Sequence, residues 1–111
     1  MNQQIYERLL SVARDGNRGY TTYGEISPLA NLDMENPADR DTMSKLLEEI
    51  ARHEQEAARP MLTAVVIHRV DNIPGEGFFK IASEFGRFKS KDKLGFWINA
   101  LNEVHEYWQR K

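Results

Sequence analysis

His68, Arg69, Asp71 and Glu76 form the densest run of reactive side chains in the chain. An imidazole beside a carboxylate is the minimal kit of a general base. No cysteine occurs among the 111 residues, so thiolate nucleophiles and thiolate metal sites are excluded. The cluster has no accompanying nucleophile and no set of metal ligands. Polar residues closing a strand are therefore its simpler reading, and His68, Asp71 and Glu76 stand as a candidate pocket with no catalytic residue assigned.

Other candidates divide in the same way between chemistry and structure. Pro74-Gly75-Glu76-Gly77 could present backbone amides to an anion, but it lacks the Gly-Lys-Ser/Thr ending of a phosphate loop and serves equally as a turn. Glu49 and His53, four residues apart, share a helix face. Two ligands are too few for a metal site, and a surface ion pair is the expectation. His105 suggests no role. The one concentrated basic patch is Arg87-Phe88-Lys89-Ser90-Lys91, flanked by Lys80 and Lys93. Cations interleaved with an aromatic ring can meet phosphates and stack on a base, whereas a short charge run can equally be a solvated loop.

Length bounds what can carry these groups. One compact domain, residues 1–111, is expected. The chain is 41% hydrophobic and 29% charged, the balance of a globular protein rather than a disordered one. The net charge of −2 argues against a dedicated duplex binder, which clusters Lys and Arg, but it leaves room for a local basic face. The polar N-terminal residues do not resemble a signal peptide, and no apolar run reaches the ~20 residues of a membrane span. A cytoplasmic location, no membrane contact and no cofactor are the expectations.

The elements that position the candidates follow from patterning. Ile5, Leu9 and Val12 predict a helix over about Asn2 to Asp15, with Gly16 and Gly19 as its left-handed stop. Thr22-Tyr23-Gly24-Glu25 is a capping box opening a helix that either stays short or restarts at Pro28. Asn36-Pro37-Ala38-Asp39 opens a long helix to about Ala58. Met43, Leu46, Leu47 and Ile50 form its buried stripe. Glu48, Glu49, Arg52, Glu54 and Glu56 fall on its solvated side, which could meet a basic protein partner. The β-branched run from Met61 to Val70 predicts a buried strand, which needs a partner. That partner comes from residues near Gly19 to Thr22, from the Phe78 region, or from another chain. Phe78 to Phe85 reads as a short helix ended by Gly86, with a second strand as the alternative. Leu94, Trp97, Leu101, Val104 and Trp108 predict a last helix from about Asp92, with both tryptophans in the core. Of Tyr20 and Tyr23, one is expected at a functional face.

In this order, Thr22-Tyr23-Gly24-Glu25 and His68-Arg69-Val70 resemble two landmarks of the DNA-binding domain of alkylguanine-DNA alkyltransferases and the inactive alkyltransferase-like proteins. The family's active-site segment is Pro-Cys-His-Arg-Val, and Val66 and Ile67 stand here for its Pro and Cys. The resemblance implies a winged-helix-like fold. It also implies contact between Tyr23 and a DNA backbone, and a histidine at 68 with no thiol left to activate. The helix from Pro37 departs from the family pattern, being longer, acidic and without the Arg-Ala-Val-Gly segment. The whole chain looks like a set of small uncharacterised bacterial proteins, which implies no activity.

The expectation is a mostly helical α+β, winged-helix-like domain with four to five helices and a small two- or three-stranded sheet. Its function is non-enzymatic: a nucleic-acid-binding or DNA-associated accessory protein using Thr22, Tyr23, Arg69, Arg87, Phe88, Lys89 and Lys91. The alternative is a protein–protein module, a regulator or inhibitor in a bacterial or phage nucleic-acid system, acting through the acidic long helix. An enzyme using His68 with Asp71 or Glu76 ranks last. Sequence alone leaves the oligomeric state open.

Overall fold

A computed structural model describes residues 1–17 and 19–110. Helix α1 spans Gln3–Arg14, where the Asn2 side chain accepts from the Ile5 amide and Ile5, Leu9 and Ala13 turn inward. A two-residue strand, β1, follows at Thr21–Thr22 and leads directly into α2, Tyr23–Ile26. Both arms of the capping box form. The Glu25 amide donates to Thr22 Oγ1 at 3.2 Å, and the Thr22 amide donates to Glu25 Oε1 at 3.0 Å. Pro28 then tightens the chain into a 3₁₀ turn at Ser27–Ala30.

The long helix α3 spans Pro37–Glu56, and Asn36 caps it through the amides of Ala38 and Asp39. The chain then runs through a 3₁₀ turn at Leu62–Val65 into strand β2, Val66–Ile67. Helix α4 spans Glu76–Glu84, and α5 spans Lys93–Gln109 with Asp92 as its cap. Among the described residues the result is a mostly helical α+β arrangement with one two-stranded sheet. The strands pair in parallel, Thr21 with Val66 and Thr22 with Ile67.

Several expectations give way. The apolar run from Met61 is mostly a 3₁₀ turn, not a strand; it passes through the centre of the core, where helices rather than strands cover it. Its hydrophobicity therefore reports burial on all sides and not pleated geometry. Helix α1 ends at an extended Asp15 and not at a left-handed glycine; the Asp15 carboxylate accepts from the Asn17 amide instead. Gly86, with φ of 75°, does act as the left-handed residue after α4.

Glu54 is fully buried, contrary to the expected solvated placement. Tyr6 donates its hydroxyl to Glu54 Oε2 at 2.9 Å, and Arg59 donates Nε and Nη2 to the two carboxylate oxygens at 2.9 and 2.8 Å. That bidentate pairing satisfies a charge that burial would otherwise penalise. Glu49 and His53 do not pair. Glu49 meets the N-terminal ammonium at 3.5 Å, while His53 stands edge-on to the Tyr6 ring.

His105 also has a role that its neighbours in sequence do not suggest. It is fully buried, and its two ring nitrogens lie 2.9 Å from the Ala13 carbonyl and 2.8 Å from the Gly19 carbonyl. Eight residues earlier on α5, buried Trp97 donates Nε1 to the Ala64 carbonyl at 2.8 Å. Helix α5 thus holds the chain just before β1 and just before β2. Among the described residues, no helix is long and apolar enough to cross a membrane.

Candidate functional site

The parallel register decides which candidates meet. Because Thr22 stands beside Ile67, the next residues of both segments, Tyr23 and His68, leave the sheet together. Their rings lie 4.5 Å apart at 32°, a tilted stack. The Tyr23 hydroxyl accepts a hydrogen bond from the Gly75 amide at 2.9 Å, across 52 residues of chain. Burial pushes the Tyr23 hydroxyl above its ordinary range, and the Gly75 amide draws it partly back.

Gly75 sits where a side chain would collide. A Cβ there would lie 2.8 Å from His68 Nε2 and 3.2 Å from the Tyr23 hydroxyl. The glycine read in the sequence as turn chemistry thus also permits close approach of α4 to the aromatic pair. Between His68 and Gly75 the chain makes a tight excursion. The His68 amide donates to the Ile73 carbonyl at 2.9 Å, the Asn72 amide donates to the His68 carbonyl at 2.8 Å, and Asn72 is left-handed at φ of 58°. Arg69 and Asp71 are exposed on this turn, and Val70 at its tip is 91% exposed.

His68 has no hydrogen bond or ion pair to Asp71 or Glu76. Glu76 instead turns to Lys93 on α5, with Oε1 2.6 Å from Nζ. Ile67, at the position of the family's cysteine, is 1% exposed. Among the described residues there is no group of three or more His, Asp or Glu able to hold a metal ion. Tyr23, His68 and Gly75 line a cavity of about 410 Å³ together with Met34 and residues of α3, α4 and the 3₁₀ turn before β2.

The basic patch lies elsewhere. Arg87 folds back onto α3, donating Nε to Gln55 Oε1 at 2.9 Å and Nη2 to the Arg59 carbonyl at 3.2 Å. Phe88 is half-buried, its ring 4.9 Å from Phe96 and 5.5 Å from Phe79. Lys89 and Lys91 are exposed. Arg87 borders a second cavity, about 260 Å³, with Met61, Phe96, Ala100 and Glu103. The predicted contact residues therefore fall into two groups, with Thr22, Tyr23 and Arg69 in one and Arg87 to Lys91 in the other.

The acidic side of α3 is also reduced. Glu54 is inside, and Glu48 meets Arg52 at 3.1 Å, which in turn meets Glu84 at 2.6 Å. What sequence reasoning missed is the wall between α3 and α4, and with it Thr63. The available signal was that Thr63 is the one polar residue between Met61 and Ile67. No family model, curated protein or solved structure matches the chain.

Proposed function

We propose that this chain is a non-enzymatic nucleic-acid-binding or DNA-associated accessory protein with a winged-helix-like domain, acting in the cytoplasm. The observation that carries the reading is the register of β1 and β2. It brings together the two segments that resemble the alkyltransferase DNA-binding domain, so that Tyr23 and His68 stack. A buried isoleucine in place of the thiol supports a role in binding rather than in alkyl transfer. Tyr23 and the exposed Arg69 turn offer one contact face. Lys89 and Lys91 offer cationic contacts beyond it.

Titration of the protein with a short DNA duplex, followed by amide NMR at low and then at higher salt, tests the reading. Shifts focused on Tyr23, Arg69 and residues 87–91 that fade as salt rises are the expected result, because phosphate contacts release counterions. A spectrum that stays still, or an affinity unchanged between low and physiological salt, defeats it and directs attention to protein partners.

A further inference from the structure

Helices α3 and α4 lie against each other but do not close completely, and the larger cavity occupies the gap. Its volume of about 410 Å³ is in the range of small-molecule sites. Met43, Leu47 and Ala51 of α3 and Phe78 and Ile81 of α4 line it, and all of these are buried. Tyr23, Met34, Arg40, Ser44 and His68 line it as well. The lining is therefore mixed, and the positions and charges of its members indicate the chemistry of an occupant.

Position along the helices separates the two kinds of residue. Arg52 meets Glu84 at 2.6 Å, and Ala51 and Ile81 each lie within one turn of that ion pair. Arg40 stands about three turns before Arg52, roughly 18 Å along α3. Gly75, the cap of α4, stands about 13 Å before Glu84. Its amide holds the Tyr23 hydroxyl, and His68 is stacked on Tyr23. Arg40, Tyr23 and His68 are thus set away from the Ala51–Ile81 pair, which suits a molecule with an apolar body and a polar head.

The charges decide the nature of that head. Glu48 and Glu76 also line the cavity, but each carboxylate already holds a cation, Glu48 with Arg52 at 3.1 Å and Glu76 with Lys93 at 2.6 Å. Arg40 has no such partner: among the described residues no carboxylate lies within ion-pairing distance of it. Its Nη1 donates to the Met34 carbonyl at 2.9 Å, which sets the guanidinium beside another residue of the lining. The donors left over match a carboxylate. Ser44 and His68 are exposed and can keep their hydrogen bonds to water. For the body, the Phe78 ring, the thioethers of Met34 and Met43 and the stacked Tyr23–His68 rings suit a planar ring.

From this we infer that the α3–α4 cavity is a binding site for a small aromatic monocarboxylate, its ring against the buried apolar residues and its carboxylate on Arg40. The inference stands apart from the nucleic-acid reading and survives its failure.

Benzoate and benzamide are matched probes, nearly equal in shape and differing in charge. Arg40→Gln makes the corresponding exchange on the protein, at an exposed helical position that tolerates it. Each probe is titrated against wild type and Arg40→Gln, following the side-chain methyl signals of Met43, Leu47 and Ile81. Saturable shifts at these methyls are expected with benzoate. Wild type should prefer benzoate to benzamide by roughly two- to fivefold, the value of an ion pair at an exposed guanidinium. That preference should vanish in Arg40→Gln, while benzamide binds both proteins alike.

No saturable methyl shift with benzoate overturns the inference. So does benzamide binding wild type as tightly as benzoate. A preference that persists in Arg40→Gln, whether both affinities hold or fall together, also overturns it, because the carboxylate is then not on Arg40.

Discussion

The Tyr23–His68–Gly75 junction and the Arg87–Lys91 bridge begin as similar sequence signals, an aromatic residue beside polar or cationic neighbours. Folding treats them differently. Tyr23 is held by partners 45 and 52 residues away, and its ring borders a cavity. Phe88 is held by Phe79 and Phe96, and its arginine neighbour is turned back onto α3. The first arrangement presents a ring at a recess. The second uses its ring as a plug between α4 and α5. An aromatic interleaved with cations is thus a binding signal only when nearby apolar surface does not claim the ring.

The largest effect is expected where the junction depends on a distant support. His105→Ala leaves the carbonyls of Ala13 and Gly19 without their partner and opens a cavity, costing about 3 kcal/mol of stability. Denaturant unfolding measures the loss. Amide shifts in this variant should concentrate on Gly19 to Tyr23 and leave residues 87–91 unmoved. Shifts spread evenly over both regions would break the distinction between them.

Phe88→Ala comes next. Removing a half-buried ring from contact with two others should cost about 2 kcal/mol, although a solvated stacking residue would cost almost nothing. Thermal unfolding reads the difference directly. A variant as stable as wild type would return Phe88 to the role of an exposed base-stacking ring.

The smallest effect belongs to Tyr23→Phe. It removes the acceptor of the Gly75 amide and should cost about 1 kcal/mol near neutral pH. The sign reverses in alkali. The Tyr23 hydroxyl ionises above its unfolded value of 10.0 because burial favours the neutral phenol. Its contribution is therefore complete below about pH 10 and is lost as pH rises through the folded value, since the unfolded chain gives up the proton first. Tyr23→Phe should flatten this part of the alkaline stability curve, measured by urea unfolding between pH 9 and 11. An unchanged slope would place the Tyr23 hydroxyl in water and dissolve the junction.

How much of this was legible in the sequence varies by residue for physical reasons. The caps at Thr22 and Asn36 and the stripes of α1, α3 and, except for exposed Leu94, α5 act within a few residues, so local pattern reveals them. The short helix after Gly75 and the placement of Trp97 and Trp108 in the core were readable for the same reason. Within the run expected as a strand, Val66 and Ile67 do pair with Thr21 and Thr22, but Leu62 to Val65 was misread because hydrophobicity records burial and not backbone shape. Glu54 and His105 were misread because the Tyr6 hydroxyl that meets Glu54 lies 48 residues away, and the carbonyls beside His105 lie 86 to 92 residues away. Polar residues look solvated until the chain folds back on them. The stacking of Tyr23 on His68 depends on a two-residue register, which no periodicity encodes.

Helix α5 contributes nothing to the Tyr23–His68 contact itself, yet its Trp97 and His105 hold the chain ahead of each strand. A ribosome releases residues in order. The nascent chain has made every residue of the junction once Gly75 has emerged, but neither strand is braced until α5 follows. The junction is written in the middle of the chain and braced by its last helix, so cuts or fusions that disturb α5 should loosen a contact they never touch.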